Sequence, residues 1–448
     1  MESATTSAGF LLNGRPTPKL DCASQTTLLD YVRDQGLTGA KEGCAEGECG
    51  ACAVLLVSGG PDGALYRAVN SCLIPAAAMA GQEIYTVESL ADSGMQAEVQ
   101  RAMVEHGGSQ CGYCTPGFVV SMFAAHIRQP ERFDPEMLGG NLCRCTGYRP
   151  IRDAFQALGR PRDSILRRRL NQAAPMLTPF HYQCETGRFS RPCDLHEALK
   201  FAATDPAARF VAGNTDLGVA TNLRYQRFPH LISLDGIPDV REFHDADDYV
   251  EIGASMTLSE IEERWQSAPP VLGKWLRLFA SPLIRNRATL GGNLQTASPI
   301  GDAAPLLLAL DAELRIATMD AERFIPLYSF FRGYRETALE RGEIIRSIRI
   351  PKPLPDRIAF YKVAKRRMDD ISTVAAAFAA RGSTIRMAFG GVAPIPLRAF
   401  EAEQAGRNAR EVLARTLHPI SDHRGSAGYR LAMAQNLVDR FFAEGDAA

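Results

Sequence analysis

Apolar and polar positions change rhythm several times along the chain, and each rhythm predicts an element. In GFLLNGRPTPKLDC the apolar start turns back at Asn13-Gly14, a dipeptide suited to tight hairpin turns, so a hairpin is expected there. TLLDYVRDQG sets Leu28, Leu29 and Val32 on a short helix, while the unbroken run in CAVLLVSG reads as a buried strand and EIYTVES as another. Thr115-Pro116 reads as an N-cap followed by proline at the first helical position, ahead of the apolar GFVVSMFAAHI. Pro150 opens a further helix with Ile151, Phe155 and Leu158 on one face. From about residue 160 to 178 the text turns arginine-rich and then runs through Ala-Pro and Thr-Pro, which predicts a solvated interdomain linker containing Arg167, Arg168 and Arg169. Beyond it an apolar strand from Phe210 to Ala212 runs through Gly213-Asn214-Thr215-Asp216 into a helix.

A chain of 448 residues has room for roughly three domains. Its 50 Lys and Arg nearly balance 51 Asp and Glu, so neither nucleic acid nor an anionic membrane is expected as a partner. The opening MESATTSAGF lacks a basic start followed by a long apolar core, and no apolar run reaches about eighteen residues, so no membrane span is expected and the cytoplasm is the expected location.

That compartment keeps thiols reduced, so eleven cysteines point to metal or redox use rather than to a disulfide framework. Cys22, Cys184 and Cys193 stand alone and read as inert buried thiols. Cys44, Cys49 and Cys52 lie in CAEGECGACAV, with Cys72 following in NSC; the C-x4-C-x2-C spacing with a distant fourth cysteine is that of plant-type 2Fe-2S ferredoxins. Gly47 and Gly50 let so short a loop wrap a cluster with its N–H groups toward anionic sulfur. Structural zinc is the alternative, though three cysteines in one glycine-rich loop fit its usual paired spacing poorly. With the surrounding strands and helix, the first 87 or so residues read as a ferredoxin-like β-grasp module. A second set, Cys111 and Cys114 in SQCGYC with Cys143 and Cys145 in NLCRC, places each pair just before a helix, where the positive end of the helix dipole favours thiolates. Taken alone, that spacing also suits zinc.

Two later stretches carry ligand-like chemistry. The Gly213–Asp216 turn between strand and helix suits a pyrophosphate, although no G-x-G-x-x-G occurs anywhere and a Rossmann fold is not supported. FASPLIRNRATLGGNLQTASPIGDAAPLL is poor in charge and rich in Gly, Ser, Thr and Pro; Gly291-Gly292 permits close backbone approach, and Thr289, Asn293, Thr296 and Ser298 offer hydroxyl and amide groups.

The two cysteine sets in this order, with QCGYCTPG and GNLCRCTGYRPI, resemble the iron–sulfur region of the molybdenum hydroxylases, the xanthine dehydrogenase and aldehyde oxidase family. The resemblance extends over nearly the whole chain. It implies a multidomain α+β protein: a β-grasp ferredoxin-like 2Fe-2S domain over 1–87, an all-α four-helix 2Fe-2S domain over 88–160, a linker over 161–178, an α+β FAD-binding domain of the vanillyl-alcohol-oxidase (PCMH-like) type over 179–340, and a small α+β C-terminal domain over 341–448. One cluster would take Cys44, Cys49, Cys52 and Cys72, and the other Cys111, Cys114, Cys143 and Cys145. For FAD the resemblance implies that Phe210, Val211, Ala212, Gly213, Asn214, Thr215, Asp216 and Leu217 hold pyrophosphate and ribose and that Phe279 stacks on adenine. Thr289, Gly292, Asn293, Asp302, Leu339 and Lys362 would complete the cofactor-binding set. Thr289 stands where relatives carry serine, which keeps the hydroxyl. Near the flavin the family would use YKVAKRRMDD, with Arg366 and Asp369 setting the local charge and Met368 in place of an acid of mammalian members.

The family's molybdenum-pterin domain has no counterpart in this sequence, so the resemblance implies a large molybdenum-cofactor partner subunit, two small and two large chains together, with NAD+ as electron acceptor. The joining of iron–sulfur and FAD parts in one chain favours the purine-oxidising, xanthine dehydrogenase branch. The same role in a hydroxylase of aldehydes or other N-heterocycles stays open, as do a self-contained flavin and iron–sulfur carrier and a zinc-stapled interaction module. No general acid or base is assigned to this chain.

Overall fold

The computed structural model describes residues 9–91, 98–129 and 132–446; the start of the opening MESATTSAGF and part of the expected helical domain lie outside the described residues. Two compact units emerge, one formed by Met1–Ile237 with Ser281–Ala288 and the other by Pro238–Ala280 with Thr289–Ala448. Among the described residues no helix is long and apolar enough to cross a membrane.

In the first unit a five-stranded sheet runs in the order Arg15–Pro16, Leu11–Leu12, Glu83–Tyr85, Ala53–Gly60, Gly63–Asn70. The hairpin turns at Asn13 and Gly14, both left-handed, as two-residue turns require. The expected strand EIYTVES stops at Tyr85, because the Thr86 N–H is taken by the Asn13 side chain at 2.8 Å, and Val87–Ala91 turns helical instead.

Strand Ala53–Gly60 explains its own apolar run. Val54 and Leu56 face one core, which includes Leu28, Leu29 and Val32 of helix Leu28–Asp34 and reaches Phe180, Phe189 and Leu231. Ala53, Leu55 and Val57 face a second core made with Phe118, Val120 and Phe123 of helix Thr115–Arg128 and Ile151 and Phe155 of helix Arg149–Gln156. A strand covered on both faces has no polar side to show, hence the lack of alternation. Leu158, expected on the face of the second helix, lies past its end but still packs on this core.

The stretch after residue 160 is less solvated than its arginines suggest. Ser164 caps a short helix, Ile165–Arg169, and Arg169 forks onto Glu83 at 2.6–3.0 Å with both side chains largely buried. The same unit then forms a four-stranded sheet in the order Phe180–Cys184, Gly187–Arg191, His230–Ser233, Ala208–Val211, whose last three strands are parallel. Arg191, fully buried, ties this sheet to the ferredoxin-like module by donating to the carbonyls of Ala78 at 2.6 Å and Ala80 at 2.9 Å.

The second unit holds an antiparallel five-stranded sheet in the order Phe243–Asp245, Tyr249–Gly253, Ile344–Pro351, Glu313–Ala317, Glu322–Pro326. A four-stranded antiparallel sheet, Arg357–Val363 to Leu397–Arg398, packs Val374, Phe378 and Phe389 against Leu413 of helix Ala409–Thr416 and Val438 and Phe441 of helix Ala427–Asp446.

Candidate functional site

The first cysteine set is built on a loop that only glycine can close. Gly47 and Gly50 have φ of +84° and +66°, and a Cβ on Gly50 would come within 2.4 Å of the Gly140 carbonyl and the Asn141 amide. The loop brings the sulfurs together in twos, Cys44 beside Cys49 and Cys52 beside Cys72, and the Cys52 thiol donates to the Asn70 Oδ1 at 3.7 Å. Backbone N–H groups of Glu46, Glu48 and Cys49 point at the Cys44 sulfur, that of Glu48 from 3.3 Å. The Cys49 thiol and these N–H groups pull Cys44 down to about 5 against the cost of burial. Cys49 moves the other way, pushed up by its bond to Cys44 and by burial. The second pair repeats the split: the Cys72 thiol lowers Cys52, and that same contact with burial raises Cys72.

The second set pairs Cys111 with Cys145 and Cys114 with Cys143. Cys111 is lowered first by the Tyr113 N–H and then by Cys145, which is itself raised by Cys111. Burial and Cys143 push Cys114 up to about 12, whereas in Cys143 the hydrogen bonds from Thr146 and the Cys145 N–H outweigh burial and lower it. One sulfur of each touching pair thus favours the thiolate and its partner keeps the proton, as like charges in contact demand; a cation between them would release both protons. Pairs of thiolates, each pair for one metal, fit a two-iron centre, and the N–H groups aimed at sulfur fit its anionic charge.

Helix Thr115–Arg128 starts one residue earlier than expected: Cys114 is the N-cap, Thr115 is already helical, and the Thr115 hydroxyl bonds Ser109 at 2.7 Å instead of capping. The cysteine thus occupies the start of the helix. Gly117 in its first turn lies directly on Gly50, where a Cβ would meet the Gly50 carbonyl at 2.1 Å. The Leu142 N–H donates to the Cys49 carbonyl at 3.0 Å, so one backbone hydrogen bond separates Cys49 from the neighbour of Cys143. Exposure divides the sets, since Cys52 and Cys72 are buried whereas Cys111 and Cys145 are exposed beside exposed Tyr113, Leu142 and Tyr148.

The residues expected at FAD fall in both units. In the first, strand Ala208–Val211 leads through the turn to helix Leu217–Arg224, which covers Phe210 through Leu217. Gly213 has no room for a side chain, because a Cβ would stand 1.8 Å from the Arg287 carbonyl. Asn214 is left-handed at φ +61° and donates 2.5 Å to the Leu73 carbonyl. A tight turn delivering a helix N-terminus fits a diphosphate.

In the second unit Phe279 stands edge-on to Trp275 with centroids 5.6 Å apart, and the Trp275 indole donates to the Asp302 carbonyl at 2.9 Å. Thr289 caps helix Leu290–Gln295 by accepting the Gly292 N–H at 3.2 Å, and Gly291 presses on Ala254, where a Cβ would approach to 2.6 Å. Asn293 lies in that helix, and half-buried Leu339 donates its N–H to Thr337 at 3.4 Å. Lys362 Nζ reaches Asp302 at 2.6 Å and the Leu278 carbonyl at 2.7 Å, and Ser372 donates to the other Asp302 oxygen. Burial raises the Asp302 carboxyl, and the ammonium of Lys362 opposes it. The Arg366 N–H bonds Asp370 at 2.7 Å and its guanidinium meets the Asp369 carbonyl.

Some of this was not readable from the sequence. Asn70 donates 2.9 Å to the Gly47 carbonyl, and Asn222 reaches in from helix Leu217–Arg224; nothing but the Asn before Ser71-Cys72 hints at either. The lone cysteines are not uniformly buried: Cys193 is exposed, and Cys22 and Cys184 are half-buried.

Four family models match successive stretches of the chain. Residues 11–77 match a 2Fe-2S iron-sulfur cluster binding domain, 86–156 a [2Fe-2S] binding domain, 182–353 an FAD binding domain in molybdopterin dehydrogenase, and 359–445 a CO dehydrogenase flavoprotein C-terminal domain. Together they indicate a 2Fe-2S and FAD subunit of the molybdenum hydroxylases. Among relatives, the chain is 33% identical to the xanthine dehydrogenase of Emericella nidulans, across 88% of itself and 34% of that protein. To xanthine dehydrogenase 1 of Arabidopsis thaliana it is 31% identical, across 89% of itself and 36% of the other. It therefore spans about a third of the length of these curated relatives. The solved structure of a carbon monoxide dehydrogenase from Hydrogenophaga pseudoflava, which lacks the Mo-pyranopterin moiety, matches with TM-score 0.53 and 28% identity, over 59% of this chain and 96% of that one. Quinoline 2-oxidoreductase from Pseudomonas putida 86 matches with TM-score 0.53 and 27% identity, over 58% and 96%.

Proposed function

We propose that this chain is the electron-transfer subunit of a cytoplasmic, NAD+-dependent xanthine dehydrogenase, assembled as two small and two large chains. Two 2Fe-2S clusters and FAD would supply one-electron and two-electron carriers between a molybdenum cofactor on the large subunit, where hypoxanthine or xanthine is hydroxylated, and NAD+.

The observation that carries this reading is the pairing of eight cysteine sulfurs into two sets joined by the Leu142 to Cys49 hydrogen bond. Cys44, Cys49, Cys52 and Cys72 would hold one cluster, the last two of them buried, and Cys111, Cys114, Cys143 and Cys145 the other, with Cys111 and Cys145 exposed. The exposed set, flanked by Tyr113 and Tyr148, is the natural face toward a molybdenum subunit. Gly213 and Asn214 shape the diphosphate turn, Phe279 offers a ring to stack, and Asp302 with Lys362 supplies a buried charge pair for FAD. The relatives named xanthine dehydrogenase favour the purine substrate. A second reading, the same role in a hydroxylase of another substrate, draws on the solved neighbours that act on carbon monoxide and quinoline.

The test is an anaerobic visible spectrum of the protein isolated with its native partners, taken before and after xanthine. Bleaching of flavin and cluster bands by xanthine supports the proposal. Bleaching by NADH but not by xanthine in the intact complex rejects the substrate, and neither reagent bleaching it rejects the electron-transfer role.

A further inference from the structure

Asn222 lies on helix Leu217–Arg224, which follows the Gly213–Asp216 turn. Both N–H bonds of its amide are used: Nδ2 donates 2.8 Å to the Ala45 carbonyl and 2.8 Å to the Cys72 carbonyl. One helical turn back, Gly218 rests on Leu73, where a Cβ would stand 2.9 Å from the carbonyl oxygen. Four residues before that, Asn214 donates to the same Leu73 carbonyl. Gly218 and Asn222 lie four apart on one face of the helix, and together with Asn214 of the preceding turn they are spent on the backbone beside the first cysteine set.

The grip on Ala45 has a direct consequence. Ala45 is left-handed at φ +57°, and the peptide that carries its carbonyl also carries the Glu46 N–H directed at the Cys44 sulfur. A trans peptide is planar, with C=O and N–H pointing opposite ways, so a donor fixed on the carbonyl aims the N–H. The second bond fixes the backbone at Cys72, which pairs with Cys52 rather than with Cys44. A single amide thus holds both halves of the set, and no carboxylate or aliphatic side chain of that length could, since only the amide offers two donors.

We infer that Asn222 is a positioning residue that ties occupation of the Gly213–Asp216 turn by a diphosphate to the hydrogen bonding, and hence the electronic state, of the first metal centre. The inference rests on the 2Fe-2S and FAD reading. Hydrogen bonds to cluster sulfurs set cluster potentials, so a shift of the helix reaches the centre through the two Asn222 bonds.

The experiment uses the native complex with FAD bound and with FAD stripped, recording the electron paramagnetic resonance signal and midpoint potential of each cluster. In the wild-type protein, stripping FAD shifts the signal and potential of the first centre and leaves the second unchanged. Asn222→Ala shifts the first centre with FAD still bound, and stripping then adds little; Asn222→Gln, which keeps both donors on a longer arm, falls between. An unchanged first centre in wild-type protein stripped of FAD overturns the inference without any variant. So does an Asn222→Ala protein with full iron and sulfide whose first centre matches the wild type. Isolation of the wild-type complex without labile sulfide or flavin would instead remove the reading underneath.

Discussion

Cysteine sulfur is a weak hydrogen-bond donor and a weak acceptor, so the backbone around each set is held by other side chains. Asn70, 2% exposed, grips Gly47; Asn141, 3% exposed, sits against Gly50; Asn214 and Asn222 hold residues 45, 72 and 73. The cysteines themselves divide the labour by pair, and that division is testable. Cys145→Ser removes one sulfur of the Cys111 pair, which is exposed, outside the loop of Cys44 to Cys72. The expected outcome is a protein with about two irons fewer per chain that keeps the paramagnetic signal of the first centre. Flavin reduction by NADH should persist in it while reduction by the oxidisable substrate is lost. Loss of both signals together would contradict two separate sets. Cysteine spacing made these groups legible in the sequence, because ligand spacing along a loop is local. The asparagines were not legible, because Asn222 finds its partners 150 and 177 residues away.

At the scale of elements, the fold was readable where a segment's pattern matched its surroundings. The hairpin at Asn13-Gly14, the helix Leu28–Asp34 and the strand Ala53–Gly60 follow directly from local rhythm. Boundaries failed where a side chain from elsewhere intervened, as when Asn13 took the Thr86 N–H and Ser109 took the Thr115 hydroxyl. Arg169 was misread because its partner, Glu83, lies 86 residues back. A similar long-range charge cluster sits in the second unit's sheet: Glu251 of strand Tyr249–Gly253 receives Ser347 at 2.5 Å, Arg349 at 3.0 Å and Arg315 at 3.2 Å. Burial works against the Glu251 carboxylate, but these three donors prevail and lower its pKa below the ordinary 4.5. The folded state then binds fewer protons than the unfolded one, so the stabilisation is complete above about pH 4.5 and is lost as pH falls through the lowered value. Glu251→Gln should cost about 2 kcal/mol at neutral pH. The difference from wild type in thermal unfolding midpoint should shrink as pH falls below the ordinary 4.5 and through the lowered value, and a difference that stays constant with pH would refute the assignment.

On the scale of the molecule, the contrast in exposure between the two cysteine sets sets their order of loss. Cys52 and Cys72 are 2% and 3% exposed, while Cys111 and Cys145 lie open. Iron removal by a chelator, followed by paramagnetic resonance, should therefore proceed in two steps, with the signal of the second centre disappearing first. Simultaneous loss, or loss of the first centre ahead of the second, would count against this placement of the sets.

The covering of strand Ala53–Gly60 and its neighbouring loop also has a history in time. A ribosome releases the four cysteines of that loop by residue 72, but the pieces that close over it come later: Phe118 and Asn141, then Leu231 and Asn222, and last Ile284, whose methyl lies where a Cβ on Gly47 would come within 2.8 Å. Domains fold as the chain emerges, N-terminal part first. Between the seventy-second residue and the two hundred and eighty-fourth, the nascent loop holds all four of its cysteines while its covering is still incomplete. A cluster inserted within that interval would reach the loop before the finished unit has closed over it.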